Sequence, residues 1–217
     1  MIHLDKELQQ LKKTTTNMWV LVQSQIEKAY KALVTNDKDL AREVISNEKR
    51  VNSMELKIDS DCEDLFALYS PVASDLRTVL ATLKINNNLE RIGDLAEGIC
   101  KHILSEEHEF DKELLKASQI QEMYDAAIEI MRDVLQAYIN EDTKLARTIF
   151  KKDEVLNEIN MLATKNIASY IGSDMQRIEQ GLNFLSIIRK LERVGDQITN
   201  IAEEIIFSHE AKVLKHL

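Results

Sequence analysis

Leu89-Glu90-Arg91-Ile92-Gly93-Asp94 returns 102 positions later as Leu191-Glu192-Arg193-Val194-Gly195-Asp196. Around the first copy, Ile85, Leu89, Ile92, Ala96, Ile99 and Ile103 recur at steps of three and four; Ile187, Leu191, Val194, Ile198, Ile201 and Ile205 do the same around the second. That spacing is one face of an α-helix, so each motif sits mid-helix. Upstream, Asp37-Lys38-Asp39-Leu40-Ala41-Arg42 returns 105 positions later as Asp142-Thr143-Lys144-Leu145-Ala146-Arg147. Two blocks and a stripe repeating at nearly one offset mark an internal duplication.

Outward from the motifs, each copy reads as three helices. Leu4, Leu8, Leu11, Thr15, Met18, Val22, Ile26, Ala29 and Leu33 form a first stripe ending near Val34. Thr35-Asn36-Asp37 breaks it and offers an N-cap, and a second stripe (Val44, Val51, Met54, Ile58, Leu65) ends near Tyr69. Ser70-Pro71 then places a capping hydroxyl before a proline, opening the third helix. The polar run Ser105-Glu106-Glu107-His108-Glu109 is read as the linker, dividing the chain into units 1–107 and 108–217. A fourth helix is expected over 111–139 and a fifth after Asn140-Glu141-Asp142. Gly172-Ser173, with Gln176 completing a capping box, separates the fifth from the sixth. The expected fold is all-α: two tandem three-helix bundles, six long helices in all.

Composition agrees. Five glycines and one proline in 217 residues are too few for the turns of a sandwich or doubly wound sheet, and 44% hydrophobic residues suffice for a core. A net charge of −9 opposes nucleic-acid binding. No signal-peptide pattern and no run of about 20 apolar residues occurs, so a cytoplasmic chain is expected, touching membrane only through partners. Cys62 and Cys100 lack CxxC spacing and read as half-buried core thiols.

Glu90, Asp94 and Glu97 stack on one helix face, each flanking a core position. Glu48, Asn52, Glu55 and Asp59 do so on the preceding helix, and the two rows can converge along a shared groove. Asp153 and Asn157 against Glu192 and Asp196 repeat the design, with Asn160, Thr164 and Thr199 where Glu55, Asp59 and Glu97 stood. Converging carboxylates repel unless a cation or arginines offset them. One reading is a metal site on oxygen ligands, suited to magnesium, calcium, manganese, zinc or iron. The other is a solvated acidic face with Arg91 and Arg193 as salt-bridge partners. Gly93 and Gly195 cost about 1 kcal/mol each in mid-helix; packing or close approach of a neighbour or ligand would offset that.

Catalytic signals are weak. No P-loop, G-x-S-x-G or H-E-x-x-H occurs, and none of His3, His102, His108, His209 or His216 follows a glutamate by three, as a di-iron bundle requires. The histidines read as surface residues.

Asn88-Leu89-Glu90-Arg91-Ile92-Gly93-Asp94, Arg77 within Ala73-Ser74-Asp75-Leu76-Arg77, and Val51-Asn52-Ser53-Met54-Glu55 resemble the PhoU family of phosphate-transport regulators over nearly the whole chain. An E-x-x-x-D motif alone carries little; within L-E-R-[IV]-G-D, twice, it is specific. The resemblance implies a cytosolic homodimer that represses phosphate-starvation signalling between a phosphate ABC transporter ATPase and a sensor histidine kinase. It also implies a divalent or multinuclear metal, iron in some members, on Glu90, Asp94, Glu192 and Asp196. Asn52 and Asn157 depart from the family's usual aspartate. The expected function is thus a non-enzymatic, metal-binding adaptor. Its rivals are a metal-dependent hydrolase or oxidase on the same carboxylates, and a metal-free scaffold.

Overall fold

Seven α-helices and one 3-10 turn (Met175–Arg177) make up a computed structural model describing residues 2–172 and 174–211, with no strand among them. The helices are α1 (Ile2–Thr35), α2 (Lys38–Tyr69), α3 (Ala73–Ser105), α4 (Lys112–Ala117), α5 (Ile120–Asn140), α6 (Thr143–Ile171) and α7 (Ile178–Glu210). Two aspartates at equivalent repeat positions start α2 and α6. Asp37 Oδ1 accepts from the Leu40 N–H at 2.9 Å, and Asp142 Oδ1 accepts from the N–H groups of Lys144 and Leu145 at 3.0 Å. Each cap is worth about 1 kcal/mol. Asn36 and Glu141, just before them, take the left-handed conformation (φ +50° and +58°) that ends α1 and α5.

α3 and α7 form the centre and run antiparallel. Asn88 bonds Asn200 at 3.5 Å, Lys84 pairs with Glu204 at 2.9 Å, and Arg77 Nε donates to the Ser208 carbonyl at 3.3 Å. α2 covers α3 and α6 covers α7. α1 and α5 also meet, through Trp19 stacked on Tyr138 and Tyr30 against Tyr124, with ring centroids 5.9 and 4.3 Å apart. The two repeats thus join across two helix pairs, and one continuous apolar core runs through both. Cys62 and Cys100 are fully buried in it as free thiols, pushed up to about 12 by burial. No helix among the described residues is long and apolar enough to cross a membrane.

Three local expectations are corrected. The helix expected over 111–139 is broken at Gln119, which adopts φ +56°. Residues 112–117 turn aside to dock on the second repeat: Leu114 is buried, Phe110 meets Phe184 edge-on, and the Tyr170 hydroxyl donates to Asp111 Oδ2 at 3.0 Å. Ser70 does not cap α3. It ends α2 at φ +45°, and α3 begins at Ala73 after Val72, with Pro71 buried outside the helix. At the last junction Asp174 caps the 3-10 turn by accepting from the Gln176 N–H at 2.9 Å, and α7 starts only at Ile178; Ser173 and His216 lie outside the described residues.

Two further differences concern polarity. The polar 105–109 segment is not wholly solvated, because Glu106 is buried, accepts from the Asn183 amide through its carboxylate, and accepts from Lys38 through its carbonyl. His102 is half-buried beside it, while His3, His108 and His209 are exposed.

Candidate metal centre

The packing of α2 on α3 turns the two acidic rows toward each other and buries one member. Glu48 is 6% exposed, and neither carboxylate oxygen has a hydrogen-bond partner. It lies over Gly93: a Cβ there would stand 3.1 Å from Glu48 Oε2 and 3.1 Å from Val51 Cγ1. The mid-helix glycine is explained by this approach of a neighbouring carboxylate. Burial pushes the Glu48 carboxyl up to about 7, helped by the negative charges of Asp94, Glu97 and Glu90 and opposed by Lys101.

Glu55 and Glu90 belong to the same field. Burial raises both; Asp59 and Asp94 add to the shift of Glu55, Asp94 and Glu55 to that of Glu90, with Arg91 opposing the latter. Asn86, one turn before Glu90, is buried and fixes the lower edge by donating to the Glu55 carbonyl at 2.9 Å and to Asp59 Oδ1 at 2.8 Å. Sequence reading missed it, although its four-residue spacing from Glu90 is the signal that places it on the row. Glu97 is half-buried and pairs with Lys101 at 2.6 Å. Asp94 and Asn52 are exposed, and Asn52 makes no contact that ties it to the row among the described residues.

The second repeat reproduces the arrangement with fewer charges. Asp153, equivalent to Glu48, is 5% exposed with Oδ1 unpartnered, and a Cβ on Gly195 would overlap that oxygen. Its carboxyl rises to about 6 through burial and Asp196, with Glu192 adding and the Asn157 amide, which donates to Oδ2 at 3.1 Å, opposing. Glu192 is raised by burial and Asp196 against Arg193. The expected residues are therefore brought together in two groups: Glu48, Glu55, Glu90, Asp94 and Glu97 in one, and Asp153, Asn157, Glu192 and Asp196 in the other.

Chemically, each group is an all-oxygen donor set built around one desolvated carboxylate with no cation in direct contact. Such a carboxylate costs free energy until a proton or cation joins it. The residues present suit a hard cation or iron. The geometry is not closed, since among the described residues no three Asp, Glu, His or Cys side chains converge around one point.

Comparison with known proteins gives one answer. The family model described as the PhoU domain matches residues 15–103 and again 120–205. The chain is 30% identical over 215 residues to the phosphate-specific transport system accessory protein PhoU homolog 1 of Thermotoga maritima, covering 99% of this chain and 92% of that one. It is 31% identical over 211 residues to the phosphate-specific transport system accessory protein PhoU of Escherichia coli K12, covering 97% and 87%. The fold superposes with a TM-score of 0.89, at 29% identity, on the crystal structure of the phosphate transport system regulatory protein PhoU from Streptococcus pneumoniae, covering 98% of this chain and 100% of that one.

Proposed function

The chain belongs to the PhoU family, and from that premise we propose that it is a regulatory accessory of a phosphate transport system which holds metal on its two acidic groups. The transport role is supported by relatives of that name aligned over nearly the full length of the chain. The metal role is carried by one observation: Glu48 and Asp153, at equivalent repeat positions, are buried carboxylates with unpartnered oxygens, both of them on Glu48 and Oδ1 on Asp153, each admitted by a glycine on the facing helix. Fixing such a charge is what a bound cation does. Glu48, Glu55, Glu90, Asp94 and Glu97 would hold the first ion or cluster; Asp153, Asn157, Glu192 and Asp196 would hold the second. When bound, such an ion would supply the positive charge that offsets the buried carboxylates between α2 and α3 and between α6 and α7.

In finer detail, the protein works in the cytoplasm as a non-enzymatic adaptor. It restrains phosphate-starvation signalling through contacts with the transporter's ATPase and a sensor histidine kinase, and it reaches the membrane only through them. The charged groups acting on Glu48 are three carboxylates and a lysine, a set suited to holding a cation.

Elemental analysis of protein purified without chelator tests the metal. Wild-type protein should carry a transition metal or alkaline earth, and Glu48→Gln with Asp153→Asn should lose most of it. Metal content equal in both would overturn the assignment. Deleting the coding sequence should switch on phosphate-scavenging genes in phosphate-rich medium, and an unchanged reporter would count against the regulatory role.

A further inference from the structure

On the side of α3 that faces α7, an open groove of about 710 Å³ carries charge of the opposite sign. Four cations line it, Arg91 and Lys101 from α3 and Lys190 and Arg193 from α7, together with the carboxylates of Asp94 and Glu97. Lys101 is paired with Glu97; Arg91, Lys190 and Arg193 enter no ion pair among the described residues. The groove is net positive on a chain of net charge −9. Lys190 is seated in place: it lies across Gly98, where a Cβ would come within 3.0 Å of Nζ and 3.1 Å of Cε.

The repeat explains how the groove arises and why it is one-sided. Arg91 and Arg193 are the same motif position in the two copies, and antiparallel packing of α3 on α7 brings both to the shared line. The pairing that sets Gly98 level with Lys190 sets Asn88 level with Asn200, which bond each other at 3.5 Å. At that opposite end the positions equivalent to Lys190 and Lys101 are Asn88 and Glu203, so the lysines stand at one end only. Ten residues separate Arg91 from Lys101, a rise of about 15 Å along α3, with one cation about every 5 Å once Lys190 and Arg193 are interleaved. A single tetrahedral anion touches only part of such a row. A short chain of linked anions reaches several of its cations at once.

We propose that this groove binds a short phosphate chain, as free oligophosphate or as the phosphate tail of a nucleotide. Asp94 and Glu97 within the lining disfavour long polyanions, and among the described residues no aromatic side chain lines the groove to stack a base. Recognition is therefore of the phosphates. The inference does not depend on metal in the acidic groups, and it is tested on protein freed of metal, so its failure leaves the measured metal content of the native protein untouched.

Calorimetric titration of full-length, chelator-treated protein with sodium tripolyphosphate at low ionic strength should show one saturable site. ATP should bind within about threefold of tripolyphosphate, and orthophosphate should bind at least about tenfold more weakly, since it gives up contacts worth about 1.4 kcal/mol or more. Lys190→Gln and Arg193→Gln should each weaken tripolyphosphate about tenfold, whereas Lys144→Gln, an exposed lysine on α6, should not. Absence of saturable binding, or equal weakening by Lys144→Gln, would overturn the proposal. ATP binding far more tightly than tripolyphosphate would overturn the assignment to the phosphate chain.

Discussion

Glu48→Gln probes the point where burial and charge conflict most. The carboxyl is 6% exposed, lacks a hydrogen-bond partner, and is pushed up to about 7 from its ordinary 4.5, first by burial and then by Asp94, Glu97 and Glu90. Between those two values the folded protein keeps a proton that the unfolded chain has released. Stability contributed by this group therefore falls as pH rises from 4.5 to 7; below that window there is no penalty, and above it the penalty is complete. At about 1.36 kcal/mol per pH unit, the ionised group costs about 3 kcal/mol in metal-free protein. Glutamine keeps the shape and removes the charge, but its buried amide gives back about 2 kcal/mol. The net gain is about 1 kcal/mol, or roughly 3 °C in Tm for a chain of this size. Thermal melts followed by circular dichroism in chelator should thus rank Glu48→Gln above wild type near about pH 8 and at or below it near about pH 5, where the penalty is small. With a divalent ion at a hundredfold its Kd the order should reverse, because the wild type gains about 2.7 kcal/mol by mass action. A variant that melts below wild type by the same margin at both pH values in chelator would falsify the premise of an uncompensated buried charge.

The two glycines that admit the carboxylates should respond differently to alanine. On Gly195 the methyl overlaps Asp153 and comes within 2.9 Å of Leu156 Cδ2, so overpacking of about 1–3 kcal/mol outweighs the helix-propensity gain of about 1 kcal/mol. On Gly93 the contacts are 3.1 Å and the two effects nearly cancel. Melts of the two variants should separate by several degrees, and a Gly195→Ala protein as stable as wild type would contradict the packing described. Gln119→Gly relieves a left-handed φ of +56° and should stabilise by about 1 kcal/mol, read as a small rise in Tm; a fall would mean the side chain matters more than the backbone. Residues 1–107 alone leave the α7-facing side of α3 and the α5-facing Trp19 and Tyr30 uncovered. That fragment should lose its sharp thermal transition or self-associate on gel filtration, and a monomer melting cooperatively would show that the first repeat has a sufficient core of its own.

What the sequence discloses here is what depends on neighbours within a few turns. The α3 and α7 stripes, the Asp37 and Asp142 caps, and the acidic rows at steps of three and four are all set by helical geometry, which acts over one helix at a time. Gln119 shows the limit from one side: Ala117-Ser118-Gln119 holds no glycine or proline, and the break arises because Phe110, Asp111 and Leu114 dock on α6 and α7. Glu48 shows it from another. Four polar residues share its row, and which of them is driven into the interface depends on the axial stagger of α2 against α3, settled only when Gly93 offers the space.

The basic groove is the fullest case of that limit. Read along the chain, Arg91 and Arg193 each sit beside a glutamate and look like its salt-bridge partner, and they do hold Glu90 and Glu192 down electrostatically. Across the pseudo-symmetric pair α3 and α7 the same two arginines become neighbours, since antiparallel packing of repeated helices must bring equivalent positions together near the axis. A duplicated motif with one cation per copy therefore guarantees a paired cation site when the copies pack this way, whatever the net charge of the chain. Lys101 and Lys190 then extend that pair in one direction only, because their equivalents are Glu203 and Asn88. The repeat sets the two arginines side by side, and the differences between the copies confine the lysines to one end.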